Sequence, residues 1–115
     1  MSGVIVWHNP GCGSSTNAVE YLRAKGIEPE IFLYLKEKPD KAQIEAVLAK
    51  GKMRPSHLLR PKEKQGEALG LYEGASEDAI LEAMAKHAKL IQRPVVITAK
   101  GAVIARPKTR IEEVL

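Results

Sequence analysis

The residues with the clearest capacity for chemistry lie in the segment HNPGCGSST, residues 8–16, which contains the only cysteine of the chain. The thiolate is the reactive form of cysteine, and the N-terminus of a helix favours it. A helical pattern begins close behind Cys12, and His8 could add a hydrogen-bond donor or a positive charge. We predict that Cys12 is a nucleophile assisted by His8. The backbone N–H groups expected to face its sulfur belong to Gly13, Ser14 and Ser15.

The surroundings of Cys12 exclude several other cysteine chemistries. A lone cysteine is most often a small core residue, but the flanking glycines and the helix start favour a reactive site. Ser15 stands where an internal dithiol needs its second cysteine, and Ala18 stands where a protein-tyrosine-phosphatase loop carries an arginine. Any second thiol of a redox cycle must therefore come from another molecule.

Neither a metal nor a bound organic cofactor is predicted. The spacing of Cys12 and the three histidines does not fit a set of metal ligands. The short Gly11-x-Gly13 pattern does not fit a dinucleotide-binding fingerprint. The histidines are His8, His57 and His87.

Length and composition indicate one globular domain over residues 1–115, because 44% of the residues are hydrophobic and 28% are charged. The net charge of +4 arises from basic residues mixed with 14 acidic ones, so nucleic-acid binding is not predicted. No apolar run is long enough for a membrane span, and the first residues lack the pattern of a signal peptide. We expect a cytoplasmic monomer.

The first 35 residues have the pattern of a strand, a helix and a second strand. Residues 4–7 form a short apolar run rich in β-branched side chains. A helical pattern then continues to Gly26, which is expected in the left-handed conformation at the helix end. Residues 31–35 have the composition of a second strand. Such a unit predicts two parallel strands and places Cys12 at the edge of the sheet where ligands bind.

The rest of the chain predicts helices followed by a hairpin. Asp40 and Gln43 form a capping-box pattern, and short helices are expected around residues 58–59 and 68–69. Ser76 is expected to cap a longer helix. Residues 93–105 have the pattern of a β-hairpin that turns at Lys100 and Gly101.

The C-terminal residues predict a last short helix, with Thr109 and Glu112 as a capping box and Ile111 and Val114 facing inward. The element order is therefore β-α-β, then helices, then β-β-α. This order predicts an α/β thioredoxin-like fold, with a helical insertion at about residues 40–75 between the βαβ unit and the C-terminal ββα unit.

The sequence resembles a known family, the glutaredoxin-coupled arsenate reductases. The resemblance begins with HNPGCGSSTN around Cys12 and continues through HLLRP at residues 57–61. It extends through LIQRPVVIT at residues 90–98 and VIARP at residues 103–107. Four separated motifs occur in the family's order and span nearly the whole chain.

The resemblance implies a role for each matching residue. Cys12 would attack arsenate, and Arg60, Arg93 and Arg106 would bind the oxyanion. Arginine suits this role because its planar guanidinium is permanently charged and donates forked hydrogen bonds. Pro94 would follow a cis peptide bond beside the cysteine.

The resemblance also implies a reaction. Cys12 would form a covalent adduct with arsenate, and glutathione would attack it as a co-substrate. Glutaredoxin would then accept the glutathione, and arsenite would be released. Two alternatives remain open at this stage. One is a glutathione-dependent thiol reductase of another substrate, and the other is a redox-sensing regulator that binds RNA polymerase.

Overall fold

A four-stranded mixed sheet lies at the centre of the computed structural model, which describes residues 3–115. The strands are β1 (Ile5–Trp7), β2 (Glu30–Phe32), β3 (Val95–Thr98) and β4 (Gly101–Ile104). Their order in space is β2-β1-β3-β4. Strands β1 and β2 are parallel, and β3 is antiparallel to both β1 and β4. The expected parallel pair and hairpin are therefore confirmed, and the hairpin turns at Ala99 and Lys100, one residue earlier than predicted.

Helices cover both faces of this sheet. The α-helices are α1 (Gly13–Ala24), α2 (Tyr34–Glu37), α3 (Lys41–Gly51), α4 (Pro55–Leu58), α5 (Lys64–Ala68) and α6 (Glu77–Lys86). Two 3-10 helices follow, at Ala88–Leu90 and Lys108–Val114. Helices α3, α4 and α5 form the expected helical insertion. None of the helices in residues 3–115 combines the length and apolarity that a membrane crossing requires.

The strand residues alternate between two apolar cores, because successive side chains of a strand point to opposite faces. Val6, Val96 and Val103 pair side by side across the sheet. They pack with α1 and the last 3-10 helix. Trp7, Val95 and their neighbours face the other way and pack with α3, α4 and α6. The sheet thus holds α1 on one face and the insertion on the other.

Local capping signals in the sequence match the structure closely. The Asp40 carboxylate accepts a hydrogen bond from the Gln43 N–H (2.8 Å), and the Gln43 side chain accepts one from the Asp40 N–H (2.9 Å). The Ser76 hydroxyl caps α6 by accepting from the Ala79 N–H. Gly26 has a φ of +80° just after α1, as expected for the residue that ends it.

Two sequence predictions were wrong. The second strand ends at Phe32 rather than residue 35, because the Glu37 carboxylate accepts from the Leu33 N–H (2.8 Å) and starts the helical turn of α2. The capping box at Thr109 does not form. Glu112 instead contacts Lys25 (2.7 Å) and the Tyr21 hydroxyl, and the segment is a 3-10 helix.

Candidate active site

Cys12 occupies the N-cap position of α1, at the carboxyl end of β1. Its backbone is extended (φ −113°, ψ 123°), and its carbonyl accepts the first helical hydrogen bond from the Thr16 N–H (3.1 Å). Asn9 shapes the preceding turn, since its carbonyl accepts from the Cys12 N–H and its side chain accepts from the Gly11 N–H, both at 3.0 Å. The sulfur is therefore held at the sheet edge predicted from the βαβ unit.

The surroundings of the thiol favour its ionised form. Partial burial raises the pKa of Cys12. Hydrogen bonds from the Ser15 and Ser14 N–H groups and from the Arg93 guanidinium lower this pKa by more than burial raises it. The net effect is a pKa below the ordinary value for cysteine. Gly13, expected with these donors, forms the first residue of α1.

His8 contacts Ser15. The His8 Nδ1 lies 2.6 Å from the Ser15 hydroxyl oxygen. The same oxygen accepts a hydrogen bond from the Asn9 N–H (2.9 Å). Burial, and then the charge of Arg23, lower the pKa of His8. A neutral imidazole can accept the Ser15 proton at Nδ1. The positive charge anticipated at His8 is thus disfavoured. His8 contacts the side chain of the buried Ser15, whose backbone N–H donates to the Cys12 thiol.

The three arginines singled out in the sequence line one cavity of about 190 Å³, together with Pro61 and Gln92. Arg60 follows α4, Arg93 precedes β3 and Arg106 follows β4. The Arg93 Nε is buried and has no hydrogen-bond partner in residues 3–115. Because a buried donor without a partner is costly, this atom indicates a ligand that accepts hydrogen bonds.

A short backbone contact brings Arg60 and Arg93 together. Leu59 and Ile91 form an isolated antiparallel bridge. On either side of it, the Arg60 N–H donates to the Leu90 carbonyl and the Gln92 N–H donates to the Leu58 carbonyl, both at 2.7 Å. The end of the helical insertion is thus joined to the segment that leads into β3.

Side chains of the insertion fix the position of Arg60. Its guanidinium lies 3.4 Å from the Glu63 carboxylate. The Tyr72 hydroxyl donates to the Arg60 carbonyl and accepts from the Glu63 N–H (3.0 Å). The Tyr72 ring packs so closely on Gly66 that a Cβ there would lie 2.6 Å from the hydroxyl oxygen. A side chain at residue 66 would therefore displace the Tyr72 ring.

Each of the three site arginines is followed by a proline, and two of these peptide bonds are cis, Arg93–Pro94 and Arg106–Pro107. The resemblance implied the first of these bonds, and the second was not predicted.

Tyr34, which begins α2 and is fully buried, was not predicted as a site residue. Its phenol contacts the Asn9 side chain and lies near Arg93, Arg60 and Cys12. Burial raises the pKa of Tyr34 more than the two arginines lower it, so the hydroxyl stays protonated. The available signal was a tyrosine, an aromatic residue with a polar hydroxyl, just beyond the carboxyl end of β2 and beside the Cys12 turn. The prediction of a strand through residue 35 hid this signal.

Residues 3–115 contain no group of three or more histidine, cysteine or acidic side chains arranged to hold a metal ion. The reactive groups of the site are thus a thiol, three guanidinium groups and backbone N–H donors. This set can stabilise a thiolate and bind a small tetrahedral anion beside it.

Comparisons with known proteins point to one family. The sequence model of the ArsC family matches residues 7–114. The chain belongs to the ArsC family. An arsenate reductase of Escherichia coli is 35% identical over 116 aligned residues, which cover 100% of this chain and 82% of that protein. An arsenate reductase of Rhizobium meliloti is 35% identical over 113 residues, 97% of this chain and 81% of the relative.

A solved structure supports the same assignment. The arsenate reductase from Vibrio cholerae superimposes with a TM-score of 0.92 at 32% identity, covering 97% of each chain. The family's thioredoxin-like α/β fold, with its helical insertion, is therefore the fold of this protein.

Proposed function

We propose that the protein reduces arsenate to arsenite, with Cys12 as the nucleophile and Arg60, Arg93 and Arg106 as the groups that bind the oxyanion. The observation that carries this proposal is the cavity that all three arginines line. One of them, Arg93, also has a buried Nε without a hydrogen-bond partner in residues 3–115. The arsenate reductases among the relatives support the choice of anion.

Arg93 connects the two halves of the proposed site. Its guanidinium donates to the Cys12 thiol and also lines the anion cavity. An anionic thiolate approaches an anionic arsenate only if positive charge lies between them, and a guanidinium supplies it in a fixed, forked geometry. Arg93 thereby activates the nucleophile and binds the electrophile.

The proposed reaction is balanced by thiols from other molecules. The Cys12 thiolate forms a bond to arsenic, and one oxygen takes up protons and leaves as water. Glutathione forms a second sulfur–arsenic bond, and a second oxygen leaves in the same way. A glutaredoxin thiolate then attacks the glutathione sulfur and forms a disulfide. The electron pair of the broken sulfur–arsenic bond reduces As(V) to As(III), and water displaces Cys12 to release arsenite.

The surroundings of Cys12 weigh against the two alternatives. A neutral disulfide substrate would have no use for three converging guanidinium groups. A redox sensor with two cysteines would need a second thiol at Ser15, where the hydroxyl is buried between His8 and Asn9. Glutathione and glutaredoxin belong to a reducing compartment, so we place the protein in the cytoplasm, acting as a monomer on a soluble anion.

The test is arsenite formation from arsenate with glutathione, glutaredoxin and an NADPH-driven recycling system. Cys12→Ser should lower the rate to less than about a tenth of the parent, because a serine hydroxyl is not ionised at neutral pH. Lys86→Ala, at an exposed position in the last turn of α6, should keep the parent rate. An active, folded Cys12→Ser protein would show that the nucleophile lies elsewhere.

A further inference from the structure

A second cavity lies beside the first, and Arg106 is the one proposed arsenate-binding arginine in its lining. Its volume is about 420 Å³, within the range of small-molecule sites. Ser14, Asn17, Arg106 and Lys108 provide the polar side chains of its lining. Arg106 lines both cavities, so the two meet at its side chain.

The second cavity also adjoins the helix turn that holds the reactive sulfur. Ser14, part of its lining, donates its backbone N–H to the Cys12 thiol. Asn17 lies one turn further along α1. A molecule in this cavity would therefore contact the helix turn that holds Cys12.

The charges around this cavity favour an anion. Arg106 and Lys108 are both exposed, and neither forms an ion pair within residues 3–115. Carboxylates are natural partners for such groups. The Ser14 hydroxyl and the Asn17 amide can also hydrogen-bond to peptide groups.

We infer that this cavity binds the reducing thiol, and that its Lys108 and Arg106 side chains select a small peptide thiol with free carboxylates, which is the chemistry of glutathione. The inference rests on the proposed function for its place in the reaction. With its carboxylates on Lys108 and Arg106, the tripeptide lies alongside the Ser14 turn. Its thiolate attacks the arsenic bonded to Cys12, and one oxygen leaves as water. No electrons move until glutaredoxin takes the glutathione.

The test compares charged and neutral thiols. With arsenate saturating, Lys108→Ala should raise the KM for glutathione about threefold to fivefold, as expected for an exposed ion pair, and Lys108→Glu should raise it further. The KM for arsenate should not change. With 2-mercaptoethanol in place of glutathione, both variants should match the parent. Lys86→Ala is the control for loss of a surface charge.

A second measurement does not depend on arsenate. The Cys12 thiolate attacks oxidised glutathione, forms a mixed disulfide and releases one glutathione thiolate. Lys108→Glu should slow this reaction at least fivefold but leave the reaction with bis(2-hydroxyethyl) disulfide unchanged. If the parent forms mixed disulfide but no arsenite, the proposed function fails and the cavity assignment stands. If the variants react with oxidised glutathione at the parent rate, the cavity assignment is wrong. It is also wrong if they react more slowly with oxidised glutathione and with bis(2-hydroxyethyl) disulfide to the same extent.

Discussion

At the scale of single residues, one cation of the site lies between two anions of the proposed reaction, the thiolate and the oxyanion. Arg93 contacts the Cys12 thiol and lines the cavity that we assign to arsenate. The phenol of Tyr34 lies close by, and its raised pKa, caused first by burial, keeps it uncharged. The positive charge of Arg93 is therefore shared between the thiolate and the incoming oxyanion, with no competing phenolate.

The first prediction concerns the ionisation of Cys12. The rate of iodoacetamide alkylation should rise with pH and level off with a midpoint below about 8.5, the value for a free cysteine. Arg93→Ala should move the midpoint upward, because a hydrogen bond and a positive charge that favour the thiolate are lost while its burial remains. Arg110→Ala, whose guanidinium contacts Glu113 on the surface, should leave it unchanged. A parent midpoint at or above the free value would mean that the thiol is not activated.

At the scale of elements, local interactions explain what the sequence predicted and what it did not. The Asp40 and Ser76 caps were predictable because each bond spans only three residues. The bridge between Leu59 and Ile91 was not, since its partners are distant in sequence. Sequence patterns alone therefore identified Cys12 and its helix, and the arginines were singled out only by resemblance.

The end of the second strand shows a different limit. Residues 31–35 are all apolar or aromatic, so their composition favours a strand throughout. The structure turns at Leu33 because Glu37, outside that run, accepts its N–H. A carboxylate outside the apolar run thus helps to begin the helical turn that places Tyr34 beside the site, together with the backbone hydrogen bonds from Lys36 and Glu37 to the Leu33 carbonyl. His8 shows the same limit, because burial and then the charge of Arg23 lower its pKa, and neither can be read from its spacing to Cys12.

The second prediction concerns the cap of α3, the longest helix of the insertion. Asp40→Ala should lower the free energy of unfolding by about 1 kcal/mol, because the N–H of Gln43 loses its acceptor. Urea denaturation measures the change. Asp40→Asn should restore most of the stability, since asparagine caps helices as well as aspartate does. Glu45→Ala, an exposed carboxylate in the same helix, should shift stability by a few tenths of a kcal/mol. An equal loss in all three variants would indicate a general charge effect.

At the scale of the whole molecule, the anion cavity joins parts of the fold from both faces of the sheet. Arg60 belongs to the insertion, which packs on one face of the sheet, while Arg106 follows β4 and adjoins the 3-10 helix on the other face. An anion in this cavity would contact arginines that only the folded chain brings together, so its binding is linked to folding.

The last prediction follows from this linkage. An anion that binds only the folded protein stabilises it by RT ln(1 + [L]/Kd), about 1.4 kcal/mol at ten times the Kd. Low millimolar arsenate or sulfate should thus raise the thermal midpoint more than chloride at equal ionic strength. Sulfate also stabilises proteins without binding to a site, so the decisive comparison is Arg60→Ala, which should lose the anion-specific increase. Arg110→Ala should retain it. If Arg60→Ala responds to arsenate as the parent does, the three arginines do not form a common anion site.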